Sequence, residues 1–152
     1  MLETKVASYR VGVVDLPLEQ PFAAGRWVLT EASNAVLELR SEDGLTGIGY
    51  AFTFRRGHSE LIARAVELLA AEVVGRNAMA VERIRAALFQ ATNFLGHGGV
   101  VTSAIGVIDM ALWDLKARAL GLPLYRLLGG ESPRVSVYAS GGPHNQSEAE
   151  LE

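Results

Sequence analysis

Residues 108–130 read IDMALWDLKARALGLPLYRLLGG. Together with the residues just before them, they carry the longest apolar stripe in the chain. Val101, Ile105, Ile108, Leu112, Leu115 and Ala119 recur at intervals of three and four, which places them on one face of an α-helix. Gly121 and Pro123 follow where such a helix should stop, glycine for a left-handed C-terminal turn and proline because it cannot continue the helix. Leu124 to Leu128 reads as one further turn, closed by Gly129 and Gly130. The charges of the stretch point in several directions, whereas a catalytic set converges on one cleft. Asp114 and Arg118, four apart, pair weakly across one helical turn. Lys116 and Arg118 suit the negative end of the helix dipole. Asp109 lies one turn before Trp113 and can accept its indole N–H or cap a neighbouring loop. The stretch therefore reads as a packing helix with surface ion pairs.

Upstream, the period changes twice. Leu61, Ala65, Leu68 and Leu69 predict a helix buried on that side, with Gly75 as its stop. Val81, Ile84, Leu88 and Ala91 predict a second, and Gly96 to Gly99 a connection to the long helix. The first third instead alternates with period two. Lys5 to Leu16 reads as a strand. In Asn34 to Arg40, Ala35, Leu37 and Leu39 face one way and Glu38 and Arg40 the other. Ser41-Glu42-Asp43-Gly44 is a turn. In Thr46 to Thr53, Ile48, Tyr50 and Phe52 share one face, and Gly47, Gly49 and Ala51 share the other, where small residues admit another backbone at close range. Pro17 to Ser33 reads as irregular, broken by Pro17, Pro21 and Gly25. A three-stranded antiparallel meander followed by helices makes an α+β domain over residues 1–131.

The last residues read differently. Arg134 to Ala139 predicts a strand, Gly141-Gly142-Pro143 a loop, and Ser147 to Glu150 a capping box that opens a helix. Residues 132–152 thus read as the first strand and helix start of a second domain whose remainder is absent.

Composition narrows the function classes. The 152 residues are 49% hydrophobic and 20% charged, as in a globular protein. A formal net charge of −3 with scattered arginines gives no nucleic-acid footprint. The chain has no cysteine, hence no disulfide frame and no thiolate metal site, as is usual in the cytoplasm. No apolar run approaches the roughly 18 residues of a membrane span, and the N-terminus lacks the pattern of a signal peptide. His58, His97 and His144 show no metal-ligand spacing. Gly96, Gly98 and Gly99 precede a helix but lack the lysine of a phosphate loop, so they read as a connector.

Two loops remain as candidate binding elements. The first, Pro17 to Trp27, is long and places Phe22, Arg26 and Trp27 where aromatics would otherwise be exposed. The second, Phe52 to His58, holds Phe52, Phe54, Arg55 and Arg56, and an arginine there suits a carboxylate. The competing reading is that the aromatics complete the core and the arginines are solvated.

The run Ala104-x4-Asp109-x-Ala111-Leu112-Trp113-Asp114-Leu115, then Arg118, Gly121-x-Pro123-Leu124 and Leu127-Leu128-Gly129-Gly130, resembles the signature helix of the mandelate racemase and muconate lactonizing enzyme family of the enolase superfamily. Val107 departs from it, standing where many members carry a small residue. The resemblance spans the whole chain but only the front part of a typical member. It implies an N-terminal capping domain on a modified (β/α) barrel. It also implies magnesium-dependent abstraction of the proton α to a carboxylate, by an acid-sugar dehydratase or a racemase/epimerase. In the family, the metal ligands and bases lie on later barrel strands. The resemblance thus implies no catalytic or metal residue in these 152 residues, magnesium held by the barrel, and a homo-oligomer at full length. It implies a small carboxylate or acid-sugar substrate, with neither nucleic acid nor membrane as partner. The residues implied to read the distal substrate are Phe22, Arg26, Trp27, Phe52, Phe54 and Arg55, with Arg56 as an alternative to Arg55. Tyr138 to Gly142 leans toward the dehydratase branches. The competing hypothesis is a free-standing α+β binding or assembly module, closed and ordered to its C-terminus.

Overall fold

A computed structural model describes residues 3–24 and 26–138. Three antiparallel strands, β1 (Val6–Ala24), β2 (Trp27–Ser41) and β3 (Thr46–Thr53), form a sheet in sequence order. Among the described residues four helices follow: α1 (Arg56–Ala70), α2 (Val81–Ala91), α3 (Gly99–Ala119) and the single turn α4 (Leu124–Leu127), with short 3₁₀ turns after α1 and α2. The expected α+β meander-then-helices order is what the fold shows.

The core lies between one sheet face and α3. Ala35, Leu37 and Leu39, predicted to share the inner face of β2, are fully buried, as are Ile108, Leu112 and Leu115 of α3. The small face of β3 explains how closely the layers meet. A Cβ on Gly49 would lie 1.9 Å from the Val107 carbonyl oxygen, and one on Gly47 2.2 Å from that of Ala111. The two backbones are in contact, so only glycine fits. At this seam Asp114 accepts the Ile48 backbone N–H at 3.0 Å, and the Arg118 Nε lies 3.2 Å from both of its carboxylate oxygens. The helix thereby satisfies an amide that edge strand β3 would otherwise leave without a partner.

The predicted stop of α3 is a Schellman motif. Gly121 adopts φ +64°, its N–H donates to Arg118, and the Leu122 N–H reaches back to Ala117. The same pattern ends α4, where Gly129 and Gly130 donate to Arg126 and Tyr125.

Three expectations need correction. Pro17 to Ser33 is not an irregular loop: β1 runs on to Ala24 and β2 begins at Trp27, making one long hairpin. Both prolines sit where they do no harm. β1 is an edge strand, and its register shifts between Pro17, opposite Glu31, and Phe22, opposite Leu29. Extra residues on β1 are accommodated there without ladder bonds. In α1 the period is as predicted, but of the four predicted positions only Ala65 and Leu69 pack against the core. Ser59, Ile62, Ala63, Val66 and Ala70 are buried, whereas Leu61 and Leu68 are 58% and 61% exposed. The buried residues face the sheet and α3, and Leu61 and Leu68 are left outside. Finally, residues 134–138 of the expected strand Arg134 to Ala139 form no strand, because no neighbour among the described residues completes a ladder. Ala139, the Gly141-Gly142-Pro143 loop, His144 and the Ser147–Glu150 capping box lie outside the described residues.

A candidate substrate-capping cleft

The hairpin tip and the end of β3 meet beside one another. At the tip, Phe22, Ala23 and Ala24 of β1 pair with Leu29, Val28 and Trp27 of β2. β3 is paired along β2 as far as Thr53, opposite Ser33, and the chain turns into α1 immediately afterwards. The alternation that buries Leu37 and Leu39 aims Phe52 outward, and Phe54 packs against it edge-to-face with ring centres 4.7 Å apart.

Trp27, Leu29, Phe52, Phe54, Arg55 and His58 surround an open cleft of about 480 Å³. That volume suits a small ligand. Its aromatic walls are about half exposed: Trp27 48%, Phe52 49% and Phe54 45%. The Arg55 guanidinium lies over the Trp27 ring at 4.5 Å from its centre, and that of Arg26 at 5.4 Å. Cations above an indole are held by its quadrupole while their N–H groups stay available.

Of the residues expected to read a substrate, the structure brings together Trp27, Phe52, Phe54 and Arg55, with Arg26 over Trp27. Phe22 is placed only by its backbone, opposite Leu29. Leu29 and His58 were not expected to line the cleft. His58, third residue of α1, could have been found from its position after the two arginines at a strand-to-helix corner.

Adjacent Arg55 and Arg56 differ completely. Arg55 is the N-cap of α1, in extended conformation. Thr53 holds this corner: its hydroxyl donates to the Arg55 carbonyl at 2.9 Å and lies 2.7 Å from the Ser59 hydroxyl. Arg56 turns the other way, pairing with Asp15 of β1 and with Glu60 at 2.7 Å, while its backbone N–H donates to Glu31 at 3.0 Å. The Ser33 hydroxyl donates to Asp15 at 2.6 Å. The Ser33 hydrogen bond, followed by the Arg56 guanidinium, holds the Asp15 carboxyl below its ordinary range against desolvation. Arg56 is thus a strut between the sheet and α1.

The other candidate positions are structural. His97 Nε2 lies 2.9 Å from the Phe89 carbonyl oxygen, its ring edge-on to Phe89, and Gly98 and Gly99 open α3. Among the described residues Asp109 neither bonds Trp113 nor caps a loop; its Oδ1 is buried with no partner among them, and desolvation raises its carboxyl above the ordinary range. Lys116 instead covers the Trp113 ring at 4.7 Å. Among the described residues no three His, Cys, Asp or Glu side chains are grouped to hold a metal ion, so they do not fit a magnesium site. Nor is any helix among them long and apolar enough to cross a membrane.

Residues 8–129 match the family described as mandelate racemase / muconate lactonizing enzyme, N-terminal domain. The chain belongs to this family. Within the family it is similar to the L-talarate/galactarate dehydratase of Salmonella typhimurium LT2, with 33% identity over 88% of this chain and 35% of that protein. The crystal structure of that dehydratase with magnesium and L-lyxarohydroxamate superposes with a TM-score of 0.78 at 31% identity, covering 86% of this chain and 34% of that one. A racemase from Streptomyces coelicolor A3(2), solved with bound magnesium, gives a TM-score of 0.88 at 30% identity over 96% of this chain and 41% of that one. A 3,6-anhydro-α-L-galactonate cycloisomerase, also from Streptomyces coelicolor, is 36% identical over 69% of this chain and 29% of that protein. The chain spans about a third of the length of the curated relatives it matches. The three-stranded sheet and its helices are the N-terminal domain of an enolase-superfamily protein, and the expected resemblance holds over the matched residues.

Proposed function

We propose that this chain is the substrate-capping part of a magnesium-dependent enzyme that removes the proton α to a carboxylate, either an acid-sugar dehydratase or a racemase/epimerase. The carrying observation is the aromatic cleft between the hairpin tip and the β3–α1 corner, lined by Arg55, with Arg26 over its Trp27 wall. A carbon acid next to a carboxylate is weakly acidic, and the metal of such enzymes neutralises charge as it develops on the carboxylate oxygens. The described residues fit no such metal, and this reading assigns the chemistry to residues outside them. Their own work is to hold the substrate end remote from the reacting carbon and to exclude water. Trp27, Phe52 and Phe54 supply an apolar wall, and Arg55 supplies a fork that matches carboxylate or hydroxyl groups. In this reading residues 1–131 form the cap and residues 132–152 lead into a barrel. The exposure of Val135, Val137 and Tyr138, at 80%, 88% and 89%, speaks against a closed free-standing module.

The test is exchange at Cα. The whole enzyme bearing these residues is incubated with magnesium and a panel of acid sugars in D₂O, and loss of the Cα–H signal is followed by NMR. Exchange or dehydration of at least one acid sugar is expected from the whole enzyme and none from the 152 residues alone. Exchange catalysed by the 152 residues themselves would overturn the assignment of the chemistry elsewhere.

A further inference from the structure

We propose that Glu31, Arg56 and Asp15 form a latch that fixes the arm of the β1–β2 hairpin to the start of α1. The three act as positioning residues for the cleft, although none of them lines it. The arm needs such a support. From Ala32 outward β2 pairs with β1 alone, because β3 ends at Thr53, opposite Ser33. A two-stranded hairpin is marginal in water, and this one also loses ladder partners between Pro17 and Phe22. Helix α1 has a matching lack. Its N-cap, Arg55, makes no side-chain cap bond, and its first turn holds no acidic residue. The N–H groups and the dipole of a helix start favour an anion there.

Both deficits are met at the last rungs before the arm. Glu31, opposite Pro17, accepts the Arg56 backbone N–H at 3.0 Å, so β2 supplies the helix with the carboxylate that its own first turn lacks. The Arg56 side chain in turn reaches Asp15 of β1, whose carboxylate is held by the Ser33 hydroxyl at 2.6 Å. Each strand of the hairpin is thereby tied once to the first residue of α1, through two chemically separate links. Glu60, one turn further along α1, holds the guanidinium from the other side at 2.7 Å. Exposed ion pairs contribute little singly, and a network that shares one ordered arginine holds more. Such a latch acts on the arm and not on the core. Where Trp27 stands relative to Arg55, 4.5 Å from ring centre to guanidinium, is then set at the base of the arm.

The experiment is amide hydrogen exchange, followed by mass spectrometry on the whole enzyme bearing these residues. Glu31→Ala and Arg56→Ala should each speed exchange of the arm, Leu18–Ala24 and Trp27–Thr30, by about 3- to 10-fold, and the double variant by about 10-fold or more. Amides of the β3–α3 seam should change by less than about twofold, because the arm opens without the core. Salt at about 1 M should speed exchange of the arm in the parent and leave the double variant unmoved. Arg56→Lys keeps the charge and Glu31→Gln keeps the acceptor oxygen, so each should recover part of the protection. Equal acceleration in arm and seam overturns the latch, and so does an arm whose exchange is unchanged in the double variant; either result leaves the capping reading intact. The effect on turnover rests on that reading: the double variant should lower kcat/KM for the best acid sugar by about 10-fold, since a displaced wall holds the substrate less well. Selective exchange with turnover unchanged upholds the latch and overturns the capping role of the arm.

Discussion

The seam between β3 and α3 and the cleft at the other end of the same strand make opposite use of β3. At the seam, Gly47 and Gly49 carry no side chain because the carbonyl oxygens of Ala111 and Val107 already occupy that space. At the cleft, Phe52 and Phe54 present large rings to an open volume. In the first region any added atom meets backbone; in the second, removing a ring leaves the fold's contacts nearly intact. Stability is therefore concentrated at one end of the strand, the proposed recognition surface lies at the other, and the two should respond separately to substitution.

The largest effect should come at the seam. Gly49→Ala places a Cβ where the Val107 carbonyl stands, and backbone cannot swing aside as a flexible side chain can. A loss of about 3 kcal/mol or more in urea unfolding is expected. A loss below about 1 kcal/mol would mean that the layers separate readily, and that the glycine face does not set their spacing.

Asp114→Ala should follow. It leaves the Ile48 N–H without its acceptor and removes the partner of Arg118. The pair with Arg118 is exposed and contributes little, so most of the expected cost of about 1–2 kcal/mol belongs to the strand amide. Arg118→Ala separates the two: it should cost about 0.5 kcal/mol or less. Equal losses from both substitutions would contradict this division.

At the cleft, Phe52→Ala should change unfolding free energy by less than about 1 kcal/mol, because half of the ring already faces water. In the whole enzyme the same change should raise KM for the preferred acid sugar by about 10-fold, from the apolar surface removed from the wall. A stability loss as large as that of Gly49→Ala, with KM unchanged, would assign the aromatics to the core instead.

The same contrast explains what could be read from sequence. Regular packing leaves a periodic record. The three-and-four spacing of Ile105, Ile108, Leu112 and Leu115 and the alternation of Ala35, Leu37 and Leu39 foretell buried faces, and the small face of β3 foretells a close approach. The hairpin tip leaves no such record, because Pro17 and Pro21 read as breakers without knowledge that β1 is an edge strand with shifted register. Leu61 and Leu68 mislead for a related reason. Helix α1 has apolar residues on two faces, and only the space beside the sheet and α3 selects Ile62, Ala63 and Val66. Among the cleft residues, Phe52, Phe54 and Arg55 were legible as aromatic and cationic groups at a strand end. Which of Arg55 and Arg56 faces the cleft was not, since it depends on Asp15, distant in sequence and brought near by the sheet.

Asp15 and Asp109 give the smallest effects, and they carry opposite signs. Asp15 lies at the cleft's supporting strut, and its folded-state carboxyl titrates below the ordinary value of 3.8. Its contribution to stability is present above that value and is lost as pH falls through the lower, folded-state value. Asp109, on the seam helix α3, has a buried oxygen with no partner among the described residues, and it titrates above 3.8. Charging it in the folded state is disfavoured, so its contribution declines as pH rises from 3.8 through the raised value. Asp15→Asn should therefore lower the urea midpoint near neutral pH, and Asp109→Asn should raise it. The Asp109→Asn difference should shrink as the pH falls through the raised value toward 3.8, and the Asp15→Asn difference as the pH is taken below 3.8. Midpoints measured for the three proteins at a series of pH values decide the matter. A gap between Asp15→Asn and the parent that stays constant down to the acid limit would show that its hydrogen-bonding shape, and not its charge, holds Arg56 in place. The same constancy for Asp109→Asn would assign its effect to packing instead of desolvation.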